Sequence, residues 1–276
     1  MELTILGTAA AEAWPAPFCL CAPCQEARKR GGPNIRFRSG ALIDDDLKID
    51  FGPDTVAQML KTGRHLAHLR TLLFTHQHSD HLVPTELTWA SGVYTNTPPP
   101  QPIVVFGNEA VLGAIRERFG EELSESNLDL REPLRPFVPI RTPTGDTVLP
   151  LPADHGAPGS LLFRITRADG TSLFFGHDSG LFPDETLDAL EKEPPLDIVV
   201  FDCTYGGRPS SNRGHMGVDG VIRMADEVRR RGIANANARL VATHFSHNGG
   251  LLHEELVTAF LPHRIEVAFD GIVIRV

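Results

Sequence analysis

The stretch Thr75-His76-Gln77-His78-Ser79-Asp80-His81 decides how this chain is read. It gathers three histidines and an aspartate into one short loop. Immediately before it, Leu69-Arg70-Thr71-Leu72-Leu73-Phe74 reads as a short buried strand. The cluster therefore sits where a strand ends and a loop begins. A lone histidine there would carry little meaning. Several imidazoles and a carboxylate after an apolar strand form a ligand set for zinc, manganese or iron.

Composition sets the frame for that cluster. The chain has 276 residues, 41% of them hydrophobic and 22% charged. That suits one large globular domain spanning 1–276 with a sizeable core. The formal charge of −9 argues against a nucleic-acid-binding surface, whose usual footprint is basic. The opening Met1-Glu2-Leu3-Thr4-Ile5-Leu6-Gly7 has no basic region followed by an apolar run. No apolar stretch approaches the ~20 residues of a membrane span. A cytoplasmic protein with no membrane partner is expected, and a homodimer is left open.

A second cluster lies near the start. Cys19, Cys21 and Cys24 form C-x-C-x-x-C, followed by a short helix that Gly31-Gly32-Pro33 stops. Three thiolates so close together suit a tetrahedral structural zinc that takes one more ligand from elsewhere. The knuckle would occupy about 18–31. Cys203 follows Leu196 to Asp202, read as a continuous apolar run and so a buried central strand, and reads as an inert core thiol.

Further along, other predicted strands end in candidate ligands. Thr147 to Pro152 leads to His155. A hairpin, Leu161 to Thr166 and Ser172 to Phe175, delivers Asp178. Leu240 to Thr243 ends at His244. Strand ends on one edge of a sandwich can converge, so this recurrence is the main evidence for a site. His177 should point to the other side of its strand from Asp178. His65 and His68 read as surface residues, and Glu121 to Pro136 as an irregular acidic segment. Strands and helices alternate throughout. That order fits a sandwich with helices on both outer faces.

H-x-H-x-D-H after an apolar strand resembles the signature of the metallo-β-lactamase superfamily. The resemblance implies an α/β fold, an αββα four-layer sandwich with metal bound at one edge. It implies that His76, His78 and His155 hold one divalent metal, and that Asp80, His81 and His244 hold another. Asp178 matches the bridging carboxylate, which favours two-metal hydrolase branches over lactamases with a cysteine there. Zinc or manganese is expected. Asp50 and Asp54 would lie near the metal loop, with Asp50 able to support a ligand histidine.

Finer features resemble one branch, the cyclic phosphodiesterase of the carbon–phosphorus lyase pathway. These are the cysteine knuckle and the Thr-His-x-x-His of 243–247. There Cys19, Cys21, Cys24 and His247 would bind the structural zinc. The loop between Phe201 and His215 and the segment Glu121 to Pro136 depart from that pattern. His155 and Asp178 are separated only by a hairpin, whereas tRNA 3′-processing endonucleases usually insert a long arm there. Gly214-His215-Met216-Gly217 resembles the motif where phosphodiesterase branches place an extra histidine. His215 is the expected general acid, joined by Asp80 as catalytic residues. Arg208 and Arg213 could meet phosphate. The implied partner is a small phosphodiester. The proteins of pyrroloquinoline quinone synthesis also carry such a knuckle, so an iron oxidase or a carrier of a cofactor precursor is the alternative.

Overall fold

The computed structural model describes residues 1–210 and 214–276. In chain order the strands are β1 (Glu2–Gly7), β2 (Gly40–Ile43), β3 (Leu47–Ile49), β4 (Thr71–Leu73), β5 (Ile103–Phe106) and β6 (Leu128–Leu130). Then come β7 (Ile140–Arg141), β8 (Thr147–Pro152), β9 (Leu161–Thr166), β10 (Ser172–Gly176), β11 (Leu196–Asp202), β12 (Ala234–Thr243), β13 (Glu266–Val267) and β14 (Ile272–Arg275). The helices are α1 (Ala22–Arg30), α2 (Thr55–Thr62), α3 (Glu109–Phe119), α4 (Asp184–Glu191), α5 (Val218–Arg230) and α6 (His253–Phe260).

Two seven-stranded sheets form, in the orders β14-β1-β2-β3-β4-β5-β6 and β13-β12-β11-β10-β9-β8-β7. Side-chain alternation then builds the layers. In β10, Phe175 faces the other sheet and Phe174 faces outward. In β11, Ile198 and Val200 point inward while Val199 and Phe201 point outward. In β4, Leu73 points inward and Leu72 outward. Both faces of each sheet are thus apolar, so each needs cover on both sides. The inner faces pack on each other. The outer faces take helices: Val221, Met224, Ala225 and Val228 of α5 lie one helical turn apart on one face and join the outer core of the second sheet. Val111, Leu112 and Ile115 of α3 join the outer core of the first. The result is the αββα sandwich.

Local signals explain the helix limits. Asn108 Oδ1 accepts from the Val111 N–H at 2.9 Å and caps α3. Gly63, at φ 68°, ends α2 in the left-handed region. α2 begins at Thr55, two residues after Pro53.

Some readings change. Pro84 reads in the sequence as a helix start through about Trp89, but the structure has a 3₁₀ turn there, Pro84–Ala90, opened by the proline without an apolar stripe long enough for an α-helix. The acidic segment 121–136 contains β6, a three-residue edge strand paired parallel to β5. Strand β12 starts at Ala234, well before Leu240, because Leu196 pairs with Ala234. The final strand, β14, leaves the second half and pairs antiparallel with β1. No helix among the described residues is long and apolar enough to cross a membrane.

Candidate metal centre

The strand ends of β3, β4, β8, β10, β11 and β12 meet at one edge of the sandwich. Backbone bonds lock the metal loop there. Phe51 N–H donates to the His81 carbonyl at 2.8 Å, and Val83 N–H to the Phe51 carbonyl at 3.0 Å. The loop approaches so closely that a Cβ on Gly52 would lie 2.0 Å from the Asp80 carbonyl oxygen. Only glycine fits at that point.

Asp50 organises the loop from below. It accepts from Thr75 N–H at 2.9 Å and from the Thr75 hydroxyl at 3.1 Å. Its Oδ2 lies 2.7 Å from His81 Nδ1. That bond directs His81 Nε2 outward, 3.1 Å from both Asp80 Oδ2 and Asp178 Oδ2. Asp50 is therefore the expected support for a ligand histidine. Asp54 instead pairs with Arg38 at 2.6 Å and serves the packing of α2.

The candidate ligands fall into two groups. His76, His78, His155 and Asp178 place one donor atom each within 4.8 Å of one another. His76 Nε2 is 2.9 Å from His78 Nδ1 and 3.2 Å from Asp178 Oδ2. His155 Nε2 is 3.2 Å from His78 Nδ1. Asp80, His81 and His244 form the second group. Asp178 touches both, with His81 Nε2 at 3.1 Å and His244 Nε2 at 4.0 Å.

These residues fit metal ions better than they fit each other. A tetrahedron with bonds of ~2.1 Å has edges of ~3.4 Å, close to the spacings found. Moreover, His81 Nε2, His155 Nδ1, His244 Nε2 and Asp178 Oδ1 are buried without a hydrogen-bond partner. Buried lone pairs left without partners cost free energy, and a cation answers several at once. Burial, with the neighbouring His81, pushes His76 down to about 2, so it stays a neutral donor. Burial opposes the charge on Asp178, yet His244, His81 and His76 hold its carboxyl well below the usual range.

A second buried carboxylate supports the other side. Asp202, at the end of β11, accepts from Met216 N–H at 2.9 Å and Thr204 N–H at 3.0 Å. Its Oδ2 lies 3.0 Å from His215 Nδ1 and 3.2 Å from His244 Nδ1. Thr204 Oγ1 completes the hold on His244 at 2.8 Å. Burial disfavours charge on His215, but Asp202 and then Asp178 raise it to about 9. Sequence reasoning missed Asp202. Its one signal was a carboxylate closing a buried, largely apolar strand, the same pattern that marked the other ligands.

Three strand-end residues adopt left-handed backbone: Asp50 at φ 59°, Asp178 at φ 55° and His244 at φ 60°. Such conformations are costly for residues other than glycine and cluster at functional sites. His177 lies behind the site, buried, with Nε2 3.5 Å from Asp50 Oδ2. His65 and His68 are exposed and touch only edge to face. Cys203 is fully buried, which pushes its thiol well above its usual range.

Cys19, Cys21 and Cys24, near the start of the chain, also converge with His247, three residues after His244, with donor atoms within 4.8 Å of one another. His247 Nδ1 is 3.3 Å from Cys21 Sγ and 3.7 Å from Cys19 Sγ.

A cavity of about 600 Å³ opens over the histidine centre. His78, Asp80, His155, Asp178, His215 and His244 form its floor, and Arg208 and Glu12 line it above. Arg213 lies outside the described residues.

A family model described as Beta-lactamase superfamily domain matches residues 47–245. The chain belongs to this superfamily. The matched span carries every residue of the histidine centre, and the fold is that of a metallo-hydrolase. A ribonuclease Z from Mycobacterium avium (strain 104) is 29% identical over 171 residues, 56% of this chain. The match covers 54% of that relative, little more than half its length. Among solved structures, a diphosphatase from the PhnP family is 23% identical with a TM-score of 0.75, covering 100% of this chain and 97% of that one. Zinc-bound PqqB from Methylobacterium extorquens is 18% identical with a TM-score of 0.78, each chain covered completely. At such identities these two likenesses are likenesses of fold.

Proposed function

We propose that this superfamily member is a phosphodiesterase acting on a small cyclic phosphodiester. The observation that carries this reading is His215, poised over the histidine centre and held by Asp202 at 3.0 Å. Two divalent ions, zinc or manganese, held by His76, His78, His155, Asp178, Asp80, His81 and His244, would supply an activated hydroxide and offset phosphoryl charge.

The chain's own residues supply the rest. Asp178 reaches both ligand groups and sets their spacing. Asp80 faces the cavity beside His81 and helps hold its ring. Arg208 offers a guanidinium to a phosphoryl oxygen. At neutral pH His215 carries its proton, since Asp202 and Asp178 hold it near 9. It can hand that proton to the departing alkoxide, and Asp202 keeps the ring aligned as charge leaves it. No side-chain nucleophile is required. A cavity of about 600 Å³ and a net charge of −9 favour a small substrate over a polyanion. The ribonuclease relative supports the bond type, and the resemblance to the cyclic phosphodiesterase branch supports the ring.

The test is His215→Ala on two esters. An alkyl phosphodiester should lose ~10²–10⁴-fold in rate, the usual worth of a positioned acid. A nitrophenyl phosphodiester, whose leaving group needs no proton, should lose far less. Equal losses would make His215 a binding residue. No turnover of any phosphodiester, with iron bound and oxygen consumed, would transfer the site to oxidase chemistry.

A further inference from the structure

Glu12 stands between the two ligand clusters. It sits at a turn closed by Ala13 N–H donating to the Ala10 carbonyl at 3.0 Å. It lines the cavity over the histidine centre. Its Oε1 accepts from Ser246 Oγ and, at 3.5 Å, from Asn248 Nδ2. The same oxygen lies 3.5 Å from His247 Nε2. The other nitrogen of that ring faces Cys21 and Cys19. One carboxylate thus touches both a knuckle ligand and the cavity. All these contacts fall on Oε1, and Oε2 has no hydrogen-bond partner among the described residues.

The charges in the cavity say what Oε2 would meet. The phosphoryl end of a substrate is drawn to the cations that the floor would hold and to the Arg208 guanidinium, and is repelled by Glu12. Glu12 therefore faces the rest of the molecule. An ionised carboxylate only accepts hydrogen bonds, so its partner must donate. Arg208 and the cations that the histidine centre would hold disfavour an ammonium, and among uncharged donors a hydroxyl meets the demand.

We propose that Glu12 selects a hydroxyl-bearing arm on the phosphodiester, and that the cysteine knuckle holds it in that role. The proposal rests on the phosphodiesterase reading for the phosphate end of the cavity. His247 Nδ1 faces the cysteines, so a metal held there would leave the ring proton on Nε2, placed 3.5 Å from Glu12 Oε1 to donate to it. An empty knuckle frees the ring to change tautomer and releases the carboxylate.

Calorimetric binding of sn-glycerol 3-phosphate and n-propyl phosphate to the metal-reconstituted protein tests this. The two ligands share the phosphate and differ by two hydroxyls. The wild type should bind the glycerol ester roughly tenfold more tightly, as expected of hydrogen bonds to a charged acceptor. Glu12→Ala should bring the ratio to about one, and Glu12→Gln, which keeps an acceptor oxygen, should restore part of it. Cys21→Ser should lower the ratio as well. In cadmium-loaded protein, the ¹¹³Cd resonance of the knuckle should move in Glu12→Ala. A ratio near one in the wild type would overturn the proposal, as would an unchanged ratio in both Glu12 variants. An unmoved ¹¹³Cd line would overturn the knuckle's part in it. Turnover of bis(4-nitrophenyl) phosphate by the same preparations judges the phosphodiesterase reading separately.

Discussion

The two ligand clusters are built on opposite plans. The knuckle draws three of its four ligands from one short stretch, Cys19 to Cys24, where a loop runs into the first turn of α1, and only His247 comes from afar. The histidine centre collects its ligands from the ends of four strands, from His76 to His244. Its rings are held by buried carboxylates, Asp50 behind His81 and Asp202 behind His244. The knuckle has thiols and one ring nitrogen, and its single outer carboxylate, Glu12, is partly exposed. A cluster of soft ligands in a loop needs its metal to exist as a structure. A cluster at the rim of two packed sheets is shaped before any metal arrives. The difference separates what each should lose when a ligand is removed.

The largest effect is expected at Asp178, the one carboxylate in contact with both histidine groups. Asp178→Ala should lose metal and turnover together, by more than the ~10–100-fold typical of residues that merely support a ligand. Its melting temperature should fall little, because the sheets fold without the site. Elemental analysis and thermal unfolding on one sample check both halves. A fully active protein with one metal fewer would break the division of labour. Next comes Asp202→Asn, expected within that ~10–100-fold range. It should also shift the alkaline limb of the pH–rate profile to lower pH, since Asp202 leads the groups that raise His215. An unmoved limb would detach Asp202 from the acid. For the knuckle the order reverses. Cys21→Ser should lose zinc and several degrees of melting temperature while hydrolysis of an activated ester holds. Zinc loss without destabilisation would make the knuckle as preformed as the other centre.

How far the sequence carried the reading follows from the same contrast. H-x-H-x-D-H and C-x-C-x-x-C were legible because their ligands are close in the chain. His155, Asp178 and His244 were legible because each ends an apolar strand. Asp202 has the same position, yet a strand-end aspartate is too common to single out without its partners. Glu12 lies in a turn with no periodicity, and its meaning comes wholly from His247 and Ser246 across the fold. The left-handed backbone of Asp50, Asp178 and His244 leaves no mark on composition. β6 and β7 escaped because strands of three and two residues hold no pattern to count. Ile272 to Val276 reads as a strand in the sequence, but the partner of β14, β1, is at the other end of the chain.

The smallest expected effect concerns pH and the knuckle alone. In metal-free protein, burial pushes the Cys24 thiol up to about 12, from an ordinary value near 9. An acid whose folded value is raised adds stability that is complete below the unfolded value and fades as pH climbs toward the folded one. Zinc-stripped protein should therefore lose stability between about pH 9 and 12. In the loaded protein the thiolate is already ionised and bound, so that loss should be absent. Lys48 also titrates here, since burial lowers it to about 8. Its sign is opposite: the unfolded chain holds the proton more tightly, so stability rises as pH passes from about 8 towards the ordinary lysine value. Lys48 is common to both forms and cancels in their difference. The gap in melting temperature between loaded and stripped protein should thus widen from pH 8 to pH 10. A constant gap would mean that Cys24 is already ionised without metal, and that the knuckle, like the histidine centre, is charged and shaped in advance.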